Sequence, residues 1–393
     1  MYIRRDIEDT LKKAAKQFPA LIVAGPRQSG KTTLLRHLFA ASHRYVSMDN
    51  PDTRLMASQD PAFFLENYPP PLIIDEVQYA PGIFPYLKEL IDKKRNARGQ
   101  FLLTGSQSFP LMARVTESLA GRMAVFNLLG LSLAEQFTDG PRMPLASLKK
   151  RVLNGSFPEI ATKSGLNSQW WFAGYLQTYL ERDLRQLRQV GDLTDFQRFL
   201  QLLAAFNGQI MNLSGLSRDL GVAVNTVKGW ISILEASGQI VSIKPFYMNR
   251  GKRIIKSPKI YFLDTGLLCY LNGLTSPAQV FKGMASGQLF ETLVLGEIIR
   301  TFYNKGVVPR IFWWRTSNGE EVDFVIEHRA RVIPIEVKLS SRATPQMARS
   351  LASFIRLFAE KIDRGILLTL LSQPLKLDKK ITALPFGELA GLF

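Results

Sequence analysis

Short apolar runs alternate with amphipathic helical patterns over the first third of the chain. Short apolar runs between turn residues are typical of buried strands, whereas apolar repeats every three or four residues favour helices. The apolar runs lie at 21–24, 43–48, 72–74, 101–106 and 123–129. Strands that alternate with helices in this way predict a parallel α/β sheet, with a ligand at the carboxyl ends of the strands.

The pattern changes after the first predicted unit, which spans 1–140. Residues 141–195 are mainly helical and predict a lid or a linker. In 196–265, apolar stripes predict three helices with a turn at Gly221, and two strands joined by a basic turn follow them. Helix, turn and helix followed by a strand pair predict a winged helix-turn-helix unit.

The last predicted unit spans 280–393. It begins with an amphipathic helix at 288–302, and strands are predicted at 311–315, 321–326 and 332–338. A tight-turn signal, Ser317-Asn318-Gly319, joins the first two of these strands. A helix at 345–358 and a strand at 365–370 complete an αβββαβ frame.

One stretch of the first unit carries a phosphate-binding signature. Residues 21–33 read LIVAGPRQSGKTT, which matches G-x-x-x-x-G-K-[ST] between a predicted strand and a predicted helix. Backbone N–H groups of such a loop bind phosphate oxygens. Lys31 is expected to reach the β- and γ-phosphates of ATP, and Thr32 to coordinate Mg²⁺. The predicted nucleotide-binding residues here are Gly25, Pro26, Arg27, Gln28, Ser29, Gly30, Lys31, Thr32 and Thr33.

Polar residues at the ends of two later strands predict hydrolysis as well as binding. Asp75 is expected to hold Mg²⁺, and Glu76 to polarise the attacking water as a general base. Thr104 or Ser106 is predicted either to contact the γ-phosphate as a sensor or to cap a helix.

Arg122 precedes the last predicted strand of the first unit. It is a candidate arginine finger, which would stabilise transition-state charge within its own chain or across a subunit interface, and Arg27 is a second candidate. A finger that acts in trans requires a homo-oligomer. The alternative for Arg122 is a surface salt bridge.

Charge and composition narrow the class of protein. The 50 Lys and Arg against 33 Asp and Glu give a formal net charge of +17, which favours nucleic acid, and secondarily an anionic membrane, as partner. The single cysteine excludes an intramolecular disulfide and fits a reducing compartment. Because no apolar run is long enough to span a membrane and no signal peptide is evident, we expect a cytoplasmic protein without a membrane partner.

Basic residues are concentrated around the predicted wing. No acidic residue lies between Glu235 and Asp264, whereas six basic residues, the last of them Lys259, fall in this run, and a one-signed hairpin tip fits phosphate contact. Asn225 is also expected to cap the third helix of this unit. The alternative is a winged helix that binds protein. DNA contacts are predicted at Asn225, Thr226, Lys228, Arg250, Lys252, Arg253 and Lys256.

Acidic residues on the C-terminal frame predict a second site. Asp323 and Glu336 lie on adjacent predicted strands, and Lys338 projects from the same face as Glu336 because alternate residues of a strand share a face. With Glu291 on the preceding helix, the two acids are expected to bind Mg²⁺, and Lys338 to stabilise a phosphodiester transition state. The alternative is a nuclease-like domain that no longer cuts.

The blocks GPRQSGKTT, LIIDEVQ, LLTGSQ and SLAGR resemble the archaeal-type ATPases of the AAA+ and related superfamily. Followed by a winged helix and the blocks EVDFVIE and IPIEVK, they resemble a prokaryotic family of ATP-binding proteins with a C-terminal domain of unknown function. The resemblance implies that Arg122 is the finger. It also implies ATP binding and hydrolysis by Lys31, Thr32, Asp75 and Glu76.

The same resemblance implies a restriction-endonuclease-like domain of the PD-(D/E)XK type. Its motif positions are filled by Asp323, Glu336 and Lys338, although no proline precedes Asp323. The predicted function is a DNA-binding, Mg²⁺-dependent ATPase that couples hydrolysis to remodelling, translocation or processing of duplex, branched or repair-intermediate DNA. The alternatives are an ATP-regulated Mg²⁺-dependent nuclease and a nucleotide-controlled signalling or assembly switch.

Overall fold

The computed structural model describes residues 2–105, 119–137, 143–180, 193–247, 257–283, 285–329, 331–359 and 362–393. Within these ranges, no helix combines the length and the apolar character needed to cross a membrane.

A parallel sheet forms the centre of the N-terminal unit, as the alternating pattern predicts. Its strands are β1 (Ala20–Ala24), β2 (Arg44–Ser47), β3 (Leu72–Asp75), β4 (Phe101–Gly105) and β5 (Met123–Asn127). Within the described residues the sheet has five strands, in the order β2-β3-β4-β1-β5. The helices are α1 (Glu8–Ala15), α2 (Lys31–Phe39), α3 (Pro51–Gln59), α4 (Pro61–Asn67) and α5 (Phe84–Lys93).

Strand β1 positions the phosphate loop. All five of its residues are buried, and it pairs in parallel with β4 on one side and β5 on the other. Since β4 also pairs with β3, the carboxyl ends of β1, β3 and β4 meet at one edge. The loop leaves β1 through Gly25, where a Cβ atom would lie 2.1 Å from the carbonyl oxygen of Leu128. This close approach leaves no space for a side chain.

Short helices follow β5. They are α6 (Leu133–Gln136), α7 (Leu145–Asn154), α8 (Pro158–Thr162) and α9 (Ser168–Tyr175), which continues as a π-helical turn. The Phe157 ring packs on the rings of Trp171 and Tyr175, with centroid distances of 4.8 and 5.0 Å. The described part of 141–195 is therefore mainly helical, as predicted. Phe157, Trp171 and Tyr175 pack together, whereas Trp170 is exposed.

Three helices and a hairpin follow in the predicted order. The helices are α10 (Leu193–Ala205), α11 (Leu213–Leu220) and α12 (Val224–Ala236). The turn at Gly221 is confirmed, with φ of 72° at the end of α11. Helix α12 begins at Val224 after Ala223, so the prediction that Asn225 caps it is wrong. The chain already turns helical one residue earlier, and Asn225 lies in the first turn.

The hairpin and the C-terminal strands share one sheet. The hairpin is β6 (Ile240–Pro245) with β7 (Lys259–Phe262). The other strands are β8 (Arg310–Arg315), β9 (Glu321–His328), β10 (Arg331–Val337), β11 (Gly365–Thr369), β12 (Leu375–Lys376) and β13 (Ile381–Pro385). Over the described ranges the order is β12-β13-β11-β10-β9-β8-β6-β7. Helices α13 (Thr265–Leu271), α14 (Ser286–Asn304) and α15 (Arg349–Leu357) pack around it.

The contact between hairpin and C-terminal strands is a parallel pairing of β6 with β8. The predicted αβββαβ frame corresponds to α14, β8, β9, β10, α15 and β11, and β12 and β13 extend it. The boundaries predicted at 265 and 280 stay predictions, although hydrogen bonds join the strands on either side of them. The nuclease-like and winged-helix assignments are taken up below as proposals.

Candidate functional site

A cavity of about 380 Å³ lies at the carboxyl edge of the parallel sheet. One wall is the phosphate loop with the start of α2, and Glu76 also faces the cavity. The rest of the lining comes from Tyr2, Ile3, Arg5, Leu131 and helix α8. Its volume is in the range of small-molecule pockets. The loop residues that line it are Gln28, Gly30, Lys31, Thr32 and Thr33.

Lys31 is buried inside the loop that it was predicted to serve. Its Nζ donates hydrogen bonds to the carbonyl oxygens of Gly25 and Pro26, at 3.2 and 2.9 Å. Gly30 precedes it with φ of 91°, a left-handed conformation that favours glycine. The ammonium group therefore lies where phosphate oxygens are expected in a loop of this type.

Three hydroxyl groups donate to the carboxylate of Asp75. Thr32 Oγ1 lies 2.6 Å from Oδ1, the Tyr45 hydroxyl lies 3.1 Å from Oδ2, and Thr104 Oγ1 also donates to Oδ1. Burial, with the charge of Asp75, raises the pKa of Tyr45 to about 12. A hydroxyl and a carboxylate in contact are an oxygen donor set of the kind that Mg²⁺ prefers. The residues therefore fit the predicted metal, and Tyr45 is an addition that the strand pattern did not reveal.

Glu76 adopts a left-handed backbone conformation, with φ of 54° and ψ of 46°, which is uncommon for a residue with a side chain. Its amide donates to Thr104 Oγ1 at 3.0 Å, and its carboxylate accepts from the Gln78 side-chain amide. Thr104 therefore links the Asp75 carboxylate to the backbone amide of Glu76. Ser106, the other predicted sensor, lies outside the described residues.

Arg122 lies at the opposite edge of the sheet. It immediately precedes β5, whose parallel partner β1 ends at the phosphate loop. Its guanidinium binds both carboxylate oxygens of Asp92, at 2.7 and 2.9 Å. The prediction that Arg122 acts within its own chain is corrected, because a residue at the amino edge cannot face a site at the carboxyl edge. The second candidate, Arg27, donates to the Tyr79 hydroxyl at 2.6 Å.

The predicted acidic residues of the C-terminal frame lie together in the interior. Asp323 Oδ2 accepts from the amide of Val337 at 2.8 Å. Lys338 Nζ lies 2.6 Å from Glu336 Oε1, and Glu336 Oε2 is buried without a hydrogen-bond partner. On α14, Glu291 accepts from the Tyr261 hydroxyl at 3.2 Å. The Asp323–Glu336–Lys338 arrangement predicted from the strands is thus present.

Strand β7 of the hairpin completes this acidic cluster. Lys259 forms a buried ion pair with Glu321, and Tyr261 binds Glu291. Sequence reasoning counted Lys259 with the basic surface of the wing and did not assign Tyr261 or Glu321. The signal that was missed is the apolar run beside Lys259, which places it in a buried strand.

Burial changes the pKa values of the carboxyl groups in this cluster. It raises the pKa of Glu291 to about 8, with a further contribution from the charge of Asp323. Burial also raises the pKa of Asp323, and burial and Asp323 together raise that of Glu336. Across the described ranges, no group of three or more His, Cys, Asp or Glu is placed to hold a metal ion. The assignment of Glu291, Asp323 and Glu336 as metal ligands therefore stays a prediction.

The predicted DNA-binding residues fall into two groups. On α12, Asn225 and Lys228 are exposed and Thr226 is half-buried, as expected for one face of this helix. Outside the described residues lie Arg250, Lys252, Arg253 and Lys256.

Comparison with known proteins places the chain in a family. Residues 17–137 match a family model described as an AAA domain, and 145–278 and 286–389 match two domains of unknown function, DUF8612 and DUF4143. An uncharacterized protein of Mycobacterium tuberculosis is 32% identical over 353 residues, which are 89% of this chain and 76% of that protein. The chain belongs to its family. An uncharacterized protein of Mycobacterium bovis matches with the same values.

The AAA domain match, with the parallel sheet and the phosphate loop, makes the N-terminal unit an AAA+-like P-loop ATPase that binds nucleotide. A Walker-type ATPase of Pyrococcus abyssi is 13% identical, with 69% of this chain and 96% of that chain covered and a TM-score of 0.47. The ORC1 protein of Aeropyrum pernix, solved in complex with DNA, is 14% identical, with 69% and 91% covered and a TM-score of 0.29. Both scores are too low to carry an argument about function.

The substitution Thr104→Val tests the link between the Asp75 carboxylate and the Glu76 amide. It removes a hydrogen bond to Asp75 and one from Glu76 while keeping the shape of the side chain. We expect the rate constant of ATP hydrolysis to fall at least about 10-fold, because one lost bond involves a charged group. Thr104→Ser, which retains the hydroxyl, is the matched control. Equal rates for the Val variant and the wild type would contradict this role.

The raised pKa of Glu291 predicts a pH-dependent stability. The folded state holds a proton that the unfolded state releases, so this carboxyl lowers the free energy of unfolding progressively from its ordinary pKa of 4.5 to about 8. In chelator, the difference in Tm between Glu291→Gln and the wild type should therefore shift in favour of the variant as the pH rises through this window. The exposed Glu66→Gln serves as control. A difference that does not change with pH would contradict the shift.

Proposed function

We propose that this protein is a DNA-dependent ATPase, in which contact of DNA with α12 and the hairpin controls hydrolysis at the phosphate loop. One observation carries the proposal. Gly238, in the turn between α12 and β6, has φ of 69° and lies against the phosphate loop, so that a Cβ atom there would be 3.1 Å from Pro26 Cδ. The turn between the two proposed DNA-binding elements is therefore in direct contact with the nucleotide site.

This contact gives a physical route for coupling. The turn is held to the end of α12 by hydrogen bonds from the amides of Gly238 and Gln239 to the carbonyl oxygens of Glu235 and Leu234, at 3.0 and 2.9 Å. A displacement of α12 by DNA would move this turn and, with it, the ring of Pro26. Interiors transmit such shifts because they are close-packed.

Each polar residue of the nucleotide site has a proposed chemical role. Lys31 would exchange the carbonyl oxygens of its own loop for phosphate oxygens. Thr32 and Asp75 would hold Mg²⁺, which when bound would neutralise phosphate charge. Glu76 would accept the proton of the attacking water, after its carboxylate has left the Gln78 amide. The left-handed backbone at Glu76 supports this role, because strained conformations are concentrated at functional sites.

Charge supports DNA as the partner. A net charge of +17 and an exposed α12 face with Asn225 and Lys228 suit phosphate contacts, which make affinity strongly salt-dependent. The work driven by hydrolysis would be remodelling, translocation or processing of DNA. In an oligomer, Arg122 would leave Asp92 and act on the neighbouring subunit's nucleotide, since action within one chain does not fit its place.

An ATPase assay with single-stranded, duplex, forked and four-way DNA tests the proposal. We expect DNA to stimulate hydrolysis and Lys31→Ala to abolish turnover. Gly238→Ala should reduce the stimulation by at least about 3-fold, because the new Cβ presses on Pro26 and a displaced element perturbs a packed neighbour. Gly273→Ala is the matched control, since Gly273 has a similar φ of 70° and a Cβ atom there would meet no atom of the described residues within 4 Å.

A rate that is indifferent to each of these DNA structures would refute the coupling. If DNA also failed to bind at low salt, while nucleotide changed the oligomer size, the signalling or assembly switch would be favoured. A binding constant that falls steeply with salt concentration would support phosphate contacts.

The ATP-regulated nuclease is a second candidate, and the observation that favours it is Asp323 beside Glu336 and Lys338. Against it, Lys338 binds one oxygen of Glu336, and β7 packs on the cluster, where Lys259 pairs with Glu321 and Tyr261 binds Glu291. With these contacts kept, the acids would not hold a metal ion. We therefore propose that the C-terminal unit acts as a binding platform and does not cut DNA.

Incubation of supercoiled and branched DNA with Mg²⁺ or Mn²⁺ tests the platform proposal. We expect no nicking by the wild-type protein, with or without ATP, because Lys338 is paired with Glu336 and Lys259 with Glu321. Cleavage by the wild type that is absent from Asp323→Ala, purified in the same way, would establish the nuclease. Cleavage by both proteins would identify a contaminant.

A further inference from the structure

The chain between β5 and α6, residues 128–133, links the nucleotide site to the C-terminal unit; we call it the joint segment. Two buried arginines from distant parts of the sequence donate to the same carbonyl oxygen in this segment, that of Gly130. Arg5 precedes α1, and Arg300 lies on α14, and each approaches this oxygen at 3.3 Å. Neither arginine belongs to the motifs by which the ATP site was predicted.

Arg5 connects the joint segment to the phosphate loop. Its Nη1 donates to the carbonyl oxygen of Ser29 at 3.0 Å, and its Nη2 donates to that of Leu129 at 2.8 Å. Its Nε forms an ion pair of 3.0 Å with the buried carboxylate of Glu135. The guanidinium group is therefore held through all three of its nitrogen atoms, and one of its acceptors, the Ser29 carbonyl oxygen, belongs to the phosphate loop.

Arg300 connects the same segment to the C-terminal unit. Its Nη2 donates to Ser156 Oγ at 2.8 Å and to the carbonyl oxygen of Leu263 at 2.9 Å. Its Nη1 lies 3.1 Å from Glu297 Oε1, while Glu297 Oε2 accepts from the amide of Leu133 at 3.0 Å. Helix α14 thus holds the joint segment at both its carbonyl and its amide groups.

The joint segment has little room to move independently. The Leu128 amide donates to the carbonyl oxygen of Ala24 at 2.8 Å, directly before Gly25 of the phosphate loop. A Cβ atom on Gly130 would lie 2.2 Å from Ser156 Oγ. Because a buried arginine cannot leave its acceptors without a large desolvation cost, a shift of either arginine must be followed by the segment.

We propose that the Gly130 carbonyl, gripped by Arg5 and Arg300, is a joint through which the C-terminal unit sets the geometry of the phosphate loop. Arg300 is a positioning residue for nucleotide binding, although it does not line the nucleotide cavity. Coupling of this kind is reciprocal, so bound nucleotide also acts on α14. The proposal rests on nucleotide binding at the loop and is independent of DNA.

The dissociation constant for ATP, measured by titration calorimetry on the full chain, tests the joint. Arg300→Met and Arg300→Lys should each weaken binding at least about 5-fold, the lower end of typical coupling between sites. The control is Arg310→Met, which removes an exposed ion pair with Glu327 in the same unit and should change binding by less than about 2-fold. In the double variant Arg5→Lys/Arg300→Lys, the fold-loss of ATP affinity should differ from the product of the fold-losses in the two single variants.

Two further results separate the joint from a purely structural role and from the proposed ATPase itself. If Arg300→Lys lowers Tm but binds ATP as the wild type does, the joint is refuted. If wild-type protein does not bind ATP, the proposed function fails instead. On the wild type alone, hydrogen exchange decides without any variant: ATP should slow exchange at the amide of Leu133, which binds Glu297, and an unchanged rate there would also refute the joint.

Discussion

The hydrogen bond between Thr32 and Asp75 depends on strand order. Thr32 lies in α2, which follows β1 after the phosphate loop, and Asp75 is the last residue of β3. The two strands are not neighbours in the sheet, because β4 lies between them. Parallel pairing aligns the carboxyl ends of all three strands, and the hydroxyl of Thr104 at the end of β4 closes the gap by donating to the same carboxylate. Buried apolar side chains set the strand order, and the strand order assembles a polar site from residues far apart in sequence.

The molecule handles buried charge differently in its two polar sites. At the nucleotide site, hydroxyl groups satisfy Asp75 and backbone carbonyls hold Lys31, so both groups remain open to exchange for a ligand. In the acidic cluster, Lys338 pairs with Glu336, Lys259 pairs with Glu321, and burial raises the pKa values of Glu291, Asp323 and Glu336. The first arrangement is suited to a ligand that comes and goes, and the second to a fixed contact between the hairpin and the C-terminal frame.

Sequence reasoning located the elements and the ATP site because their signals are local. The loop motif, the carboxylates that end β3 and the turn at Gly221 each depend on neighbouring residues alone. The position of Arg122 could have been predicted from the sequence, because an arginine immediately before a parallel strand lies at the amino edge of the sheet. Lys259 was misread because net charge does not distinguish a surface lysine from one paired in a buried strand.

The contacts of Arg5 and Arg300 could not be predicted from the sequence for a different reason. Their shared acceptor is the backbone carbonyl oxygen of Gly130, which carries no residue signature and lies 125 positions from Arg5 and 170 from Arg300. Only the folded chain shows that the phosphate loop is held on three sides, by Gly238 at Pro26, by Arg5 at Ser29 and by Leu128 at Gly25. Under both proposed couplings, a change in this loop on nucleotide binding would reach the hairpin unit through Gly238 and the C-terminal unit through Arg5 and Arg300.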